Sequence, residues 1–113
     1  MAITYGKLFQ PSALTGVAAQ IAIIPAVPTT NVLINGRMRA TNNSGAAVAV
    51  TIYAVPSAGV VAAGNVLVNA KSIAANDFLD TDLPELAAGD TIWAFGGSAG
   101  AITVHFMDGV LRS

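Results

Sequence analysis

Five of the six carboxylates in this chain fall in one short stretch, as Asp77, Asp80, Asp82, Glu85 and Asp90. Such a group suggests two kinds of chemistry. Carboxylate oxygens can gather around calcium, which takes several oxygen ligands, and two carboxyl groups flanking a glycosidic bond can act as acid and base. The EF-hand spacing is absent, and nothing in the sequence fixes the separation that a glycosidase pair of carboxylates needs. The same residues stand beside Asn, Pro and Gly, where Asp ordinarily holds the N–H groups of turns. No metal and no cofactor is expected. His105 is the only histidine, so a Ser-His-Asp arrangement would have to run through it, and no Gly-x-Ser-x-Gly elbow accompanies it. It reads as an exposed or interface histidine. The absence of cysteine removes a thiolate nucleophile, a disulfide frame and a Cys-based metal site. Gly96-Gly97 lacks the Gly-x-x-x-x-Gly-Lys of a phosphate loop and reads as a hairpin turn. No catalytic residue is assigned, and a non-enzymatic protein is expected.

Two further pairs suggest contact rather than catalysis. Arg37 and Arg39 are two apart and so share one face of a strand. They form either a patch for an acidic partner or a solvated face that charge protects from edge pairing. Trp93 and Phe95 share a face in the same way, with Ile92 and Ala94 opposite. Both faces of that strand are apolar, which means burial on both sides or an aromatic patch presented to a partner. Burial is the expectation for this strand, with Trp93 kept as a possible interface residue.

The elements that must position these residues are strands. From Asn31 to Thr41, Val32, Ile34, Gly36, Met38 and Ala40 alternate with Leu33, Asn35, Arg37, Arg39 and Thr41, the period of a half-buried strand. Ala46 to Val55 is rich in β-formers, and Asn42-Asn43-Ser44-Gly45 between the two predicts a hairpin. Ala19 to Ile24 stops at Pro25. Further strands are expected at Val66 to Ile73, Asp77 to Thr81, Thr91 to Phe95 and Ala101 to Met107, where Ile102, Val104 and Phe106 alternate with Thr103, His105 and Met107. Helix is limited to a single turn at most, because the Ala-rich runs are short and bounded by Gly. Seven or eight short strands make an all-β, single-domain antiparallel β-sandwich or jelly roll spanning residues 1–113, with the strand order left open between jelly roll and immunoglobulin-like. Met1 to Ser12, with Tyr5, Leu8 and Phe9 around Gly6, reads as an N-terminal arm that docks on a neighbour.

Composition narrows the partners. The chain is 54 % hydrophobic and 10 % charged, against about 25 % charged for average soluble domains. A net charge of −1 supplies no basic footprint for nucleic acid or an anionic membrane. The uncharged runs Leu8 to Gly36 and Ala40 to Ala70 are broken by Pro, Asn and Gly, so neither reads as a membrane span, and the N-terminus lacks the pattern of an ordinary signal peptide. Alanine makes up about a fifth of the chain. A core of such small residues predicts modest stability, and a surface poor in charge predicts self-association.

In order, the segments Ile24-Pro25-Ala26, Ala40-Thr41-Asn42-Asn43-Ser44-Gly45-Ala46-Ala47, Val50-Thr51-Ile52-Tyr53-Ala54-Val55-Pro56, Ser72-Ile73-Ala74-Ala75-Asn76-Asp77 and Leu86-Ala87-Ala88-Gly89-Asp90-Thr91-Ile92 resemble the small β-sandwich virion proteins of tailed bacteriophages. Those proteins sit on the capsid as decoration or cement, or at the neck and tail. The resemblance spans Ala19 to Val110 and implies a role without site residues. It implies a virion structural protein, on the capsid surface before the neck or tail, that assembles with itself as a homo-oligomer, a trimer by preference, and with the major capsid protein or other virion proteins. The other function class is a carbohydrate- or receptor-binding sandwich with Trp93 and Tyr53 as stacking platforms.

Overall fold

Alternating burial is visible at residues 36–42, 91–96 and 102–106, and it is absent from residues 66–73. The computed structural model describes residues 3–4 and 8–113, and these form ten strands: β1 (Ile3–Thr4), β2 (Ser12–Ala13), β3 (Ala19–Ile23), β4 (Val32–Asn42), β5 (Val48–Val55), β6 (Val66–Ile73), β7 (Phe78–Asp82), β8 (Leu86–Ala87), β9 (Thr91–Gly96) and β10 (Ile102–Arg112). One 3-10 turn, Ala63–Asn65, precedes β6. Among the described residues no helix is long and apolar enough to cross a membrane.

The strands form two antiparallel sheets. In the first, β1 and β2 lie along β10, which pairs β4, which pairs β7, and the short β8 adds to β4. The second runs β3-β9-β5-β6. The pairing is nested: β1 and β2 with β10, β3 with β9, β4 with β7, and β5 with β6 at the centre. Rolling this long hairpin brings β10 beside β4 and β9 beside β5, which is the jelly-roll order rather than an immunoglobulin-like one. The all-β sandwich expected from the alternation is therefore present, and its strand order is resolved.

The core lies between the sheets. Met38 and Ala40 of β4, Ile102 and Val104 of β10, Val50 and Ile52 of β5, and Ile92 and Ala94 of β9 are almost fully buried. Of the twenty buried apolar side chains among the described residues, only Ala22, Ala40, Ala94 and Ala101 are alanine. The expectation of a small-residue core is thus corrected. Most alanines lie in turns or on outer faces, and the interior is filled by branched and larger side chains, each worth about 1.5–3 kcal/mol on burial.

Two turns that read as hairpins are crossings between sheets. β4 and β5 belong to different sheets, as do β9 and β10. Asn, Ser and Gly signal that the chain turns, and do so equally for a hairpin and for a sandwich corner. At the first corner Asn42, with no exposed surface, donates from Nδ2 to the carbonyls of Ala46 (2.8 Å) and Ile73 (2.9 Å), while its Oδ1 accepts from the Ser44 N–H and hydroxyl. At the second, the N–H groups of Gly96 and Gly97 donate to Thr15 and Ala49 carbonyls.

β4 also changes phase. Gly36, Met38 and Ala40 face inward as the alternation predicts, but so does Leu33, while Val32 and Ile34 are only half-buried. The slip occurs at Asn35, whose φ of 55° is left-handed, and faces register shifts around Asp108 in β10. A Cβ on Gly109 would lie 3.1 Å from the Gly36 Cα, so two glycines meet where the strands bend.

Candidate functional site

The two outer faces of the sandwich differ in chemistry. On the first sheet, β4 lies between β10 and β7, so each arginine of β4 meets a residue on both sides. Arg39 stands opposite His105 and Asp80, and Arg37 opposite Asp108 and Asp82. Arg39 donates from Nε to Asp80 Oδ1 at 2.6 Å and from an Nη to Asp80 Oδ2 at 2.9 Å. Its guanidinium lies 4.0 Å from the centre of the Phe78 ring, a cation–π contact that fixes the fork in place. The Arg39 fork holds the Asp80 carboxyl below the usual carboxylate range, mainly through the side-chain hydrogen bonds, with its charge and that of Arg37 adding against partial desolvation. Asp80 in turn raises the pKa of Arg39 through the same hydrogen bonds. Arg37 reaches Asp108 at 3.8 Å with both side chains well exposed, a geometry worth little. This face is a self-neutralising ladder of charges.

The outer face of the second sheet carries almost no charge. Among its four strands the sole ionisable cation is Lys71, and there is no carboxylate. Ile92 and Ala94 point into the core, which turns Trp93 and Phe95 outward. Both are half-buried, so burial of β9 on both sides is corrected: one face is core and the other is open. Tyr53 of β5 is the cross-strand partner of Trp93, and its ring stacks on Phe95 with centroids 6.3 Å apart. The Trp93 indole N–H donates to Thr91 Oγ1 at 3.0 Å, and Gln20 and Ile23 of β3 continue the face toward the sheet edge. Alternation reveals that Trp93 and Phe95 share a side. It does not reveal that Tyr53 joins them, which requires the β5–β9 register.

The acidic stretch disperses. Asp77 accepts from the Phe78 N–H, Asp80 is held by Arg39, and Asp90 accepts from the N–H groups of Ser57 and Ala87. Asp82 and Glu85 line an open cleft of about 530 Å³ with Arg37 and Asp108, at the place where β4 and β10 bend. No group of three or more His, Cys, Asp or Glu side chains suited to a metal occurs among the described residues.

The proposed arm is corrected in its second half. Phe9 is buried and meets Phe106 edge-to-face with centroids 5.7 Å apart, and Leu8 packs against the same core. Both side chains are used within the chain itself. Tyr5 lies outside the described residues. Of the possible interface residues, then, Arg37, Arg39 and Trp93 are on outer faces, the first two on the opposite side of the sandwich from the third.

No family model matches the chain, and no curated protein matches it. The fold is similar to a chain in the solved structure of infectious bursal disease virus Gx strain, with 14 % identity and a TM-score of 0.39 over 97 % of this chain. This chain spans 30 % of that one. A likeness of that degree bears on neither ligand nor partner.

Proposed function

We propose that this protein is a non-enzymatic structural subunit of a virion, a capsid decoration or cement protein that stabilises a phage head through self-association and contacts with the major capsid protein. The observation that carries the assembly part is the uncharged outer face with Tyr53, Trp93 and Phe95 side by side. Aromatic residues without charge are what the centre of an interface uses, and many weak copies of such a contact add up on a repetitive lattice. The order of segments that resembles phage β-sandwich proteins supports the virion part. Neck or tail is the alternative position.

The chain's single tryptophan reports on this face. Light scattering should show a multiple of the chain mass as concentration rises, and Trp93 emission should move to shorter wavelength when the protein is added to particles stripped of it. Native protein should also sediment with intact particles from its source. Constant emission with a monomer mass, together with protein that stays in the soluble fraction, would overturn the proposal.

A carbohydrate-recognising module is the second reading, favoured by one observation: Tyr53 and Trp93 are cross-strand neighbours on one open face. Glycan binding that is lost in Trp93→Ala would move it ahead.

A further inference from the structure

A sandwich of two open sheets exposes four edges, and three of them here are blunted against further pairing. β1 and β2 are two residues long each, with Pro11 just before the second. β7 carries Asp80 and Asp82 within five residues. β6 carries Lys71, shifts register twice against β5, and turns the Ala70 N–H inward to Thr51 Oγ1 (3.1 Å) at a left-handed φ of 49°. Short strands, proline, charge and bulges are the devices that keep edges from pairing.

β3 has neither charge nor proline. It lies at the end of the second sheet, and among the described residues no strand covers its far side. Of those devices it carries a register shift between Gln20 and Ala22, after which the pairs Ala22 with Ile92 and Ile23 with Thr91 run in regular register, so the Ile23 end is the open part of the edge. Ile24 donates to the Asp90 carbonyl and accepts from the Gly89 N–H, so the alternation of an antiparallel ladder turns the N–H and C=O of Ile23 outward. The flanks are apolar as well. Val17, Ile23 and Val27 are 75 %, 49 % and 82 % exposed, half of the six large exposed apolar side chains among the described residues.

We infer that β3 pairs with β3 of a second copy, antiparallel across a twofold axis. A strand that adds here must bring an equally open edge. Among the described strands of this chain only β3 offers one, so a second copy meets it through its own β3 and the contact is isologous. The inference rests on the assembly reading and names its partner. The dyad stands perpendicular to the sheet and joins two four-stranded sheets into one of eight strands. Both aromatic faces then point the same way, as one continuous apolar surface for the lattice beneath. Twofold pairing differs from the trimer suggested by the sequence.

The test is the mass of the full chain by light scattering over a wide range of concentration, for wild type and for Ile23→Lys. Wild type should reach twice the chain mass. The lysine, placed at the exposed edge, should raise the dimer dissociation constant roughly tenfold or more, equivalent to about 1.4 kcal/mol, with an unchanged thermal melt. Amide hydrogen exchange on wild type serves as the independent measurement: the Ile23 amide should exchange slowly at high concentration and faster on dilution. Fast exchange at every concentration would overturn the pairing even where Ile23→Lys does not fold. A trimer, or a dimer that persists in Ile23→Lys yet dissociates in Trp93→Ser, would overturn the edge contact and leave the assembly reading standing. A monomer throughout would overturn the pairing, and a monomer that also stays out of the particle fraction would overturn the assembly reading as well.

Discussion

At the scale of single residues, one buried amide and one ion pair do different work. Asn42 is the polar pin of the β4–β5 corner, and its side chain satisfies backbone groups from two segments of the chain, 44–46 and 73–74. Asn42→Ala leaves the buried Ile73 carbonyl and the part-buried Ala46 and Ala74 carbonyls and Ser44 N–H short of a partner. Stability should fall by about 2–4 kcal/mol in urea unfolding, since each buried unsatisfied group costs about 1–3 kcal/mol. A loss under 1 kcal/mol would mean that the corner has other support. The Arg39–Asp80 pair is about one-third exposed on each side and is screened by solvent. Its signature is therefore a pH dependence. The carboxyl of Asp80 titrates lower in the folded chain than in the unfolded one, so its contribution is present above the unfolded value near ~4 and is lost as pH falls through the folded value. Arg39 stays cationic throughout. The stability difference between wild type and Asp80→Asn should be largest near neutrality, shrink in acid below about pH 4, and shrink also with added salt. A difference independent of pH would assign the effect to shape alone.

At the scale of elements, the N-terminal segment decides between two roles. Phe9 fills a place against Phe106, and loss of a buried phenylalanine typically costs about 3–5 kcal/mol. Phe9→Ala should lower the melting temperature sharply; an unchanged melt with lost assembly would restore the docking arm. Strands were legible wherever one face is apolar and the other polar, as in β10, where Ile102, Val104 and Phe106 are buried and Met107 is exposed. Sidedness was not legible in β9, because Ile92 and Ala94 look no more interior than Trp93 and Phe95 until β5 and β3 are placed beside them. The phase slip in β4 was hidden for another reason. Asn35 adopts a left-handed φ that its side chain tolerates well, but asparagine also occurs on ordinary exposed strand positions. Turn chemistry at Asn42–Gly45 and Gly96–Ser98 announced a reversal without saying to which sheet the chain goes next. Outer-face chemistry was half legible: the arginine pair by spacing, its Asp80 partner only by register.

For the whole molecule, charge is divided between the two sheets. Arg37, Arg39, Asp80, Asp82, Asp108 and Arg112 belong to the strands of one, and Lys71 alone to those of the other. Such a body has a wet side and a sticky side, and a lattice subunit of this kind can bind with one and face solvent with the other. The nested strand order has a further effect during synthesis. β10 occupies the middle of the first sheet, between β4 and the β1 and β2 pieces, and Ile3 pairs with Arg112. As the chain leaves the ribosome, β5 and β6 can zip together early, whereas β4 waits without its main neighbour until β10 has been made. During that interval Leu33, Met38 and Phe9 lack the surface that covers them. On a crowded polysome a neighbour's β10 would fit the gap as well as the chain's own, so the same topology that completes the monomer leaves each nascent copy open to strand exchange with the next.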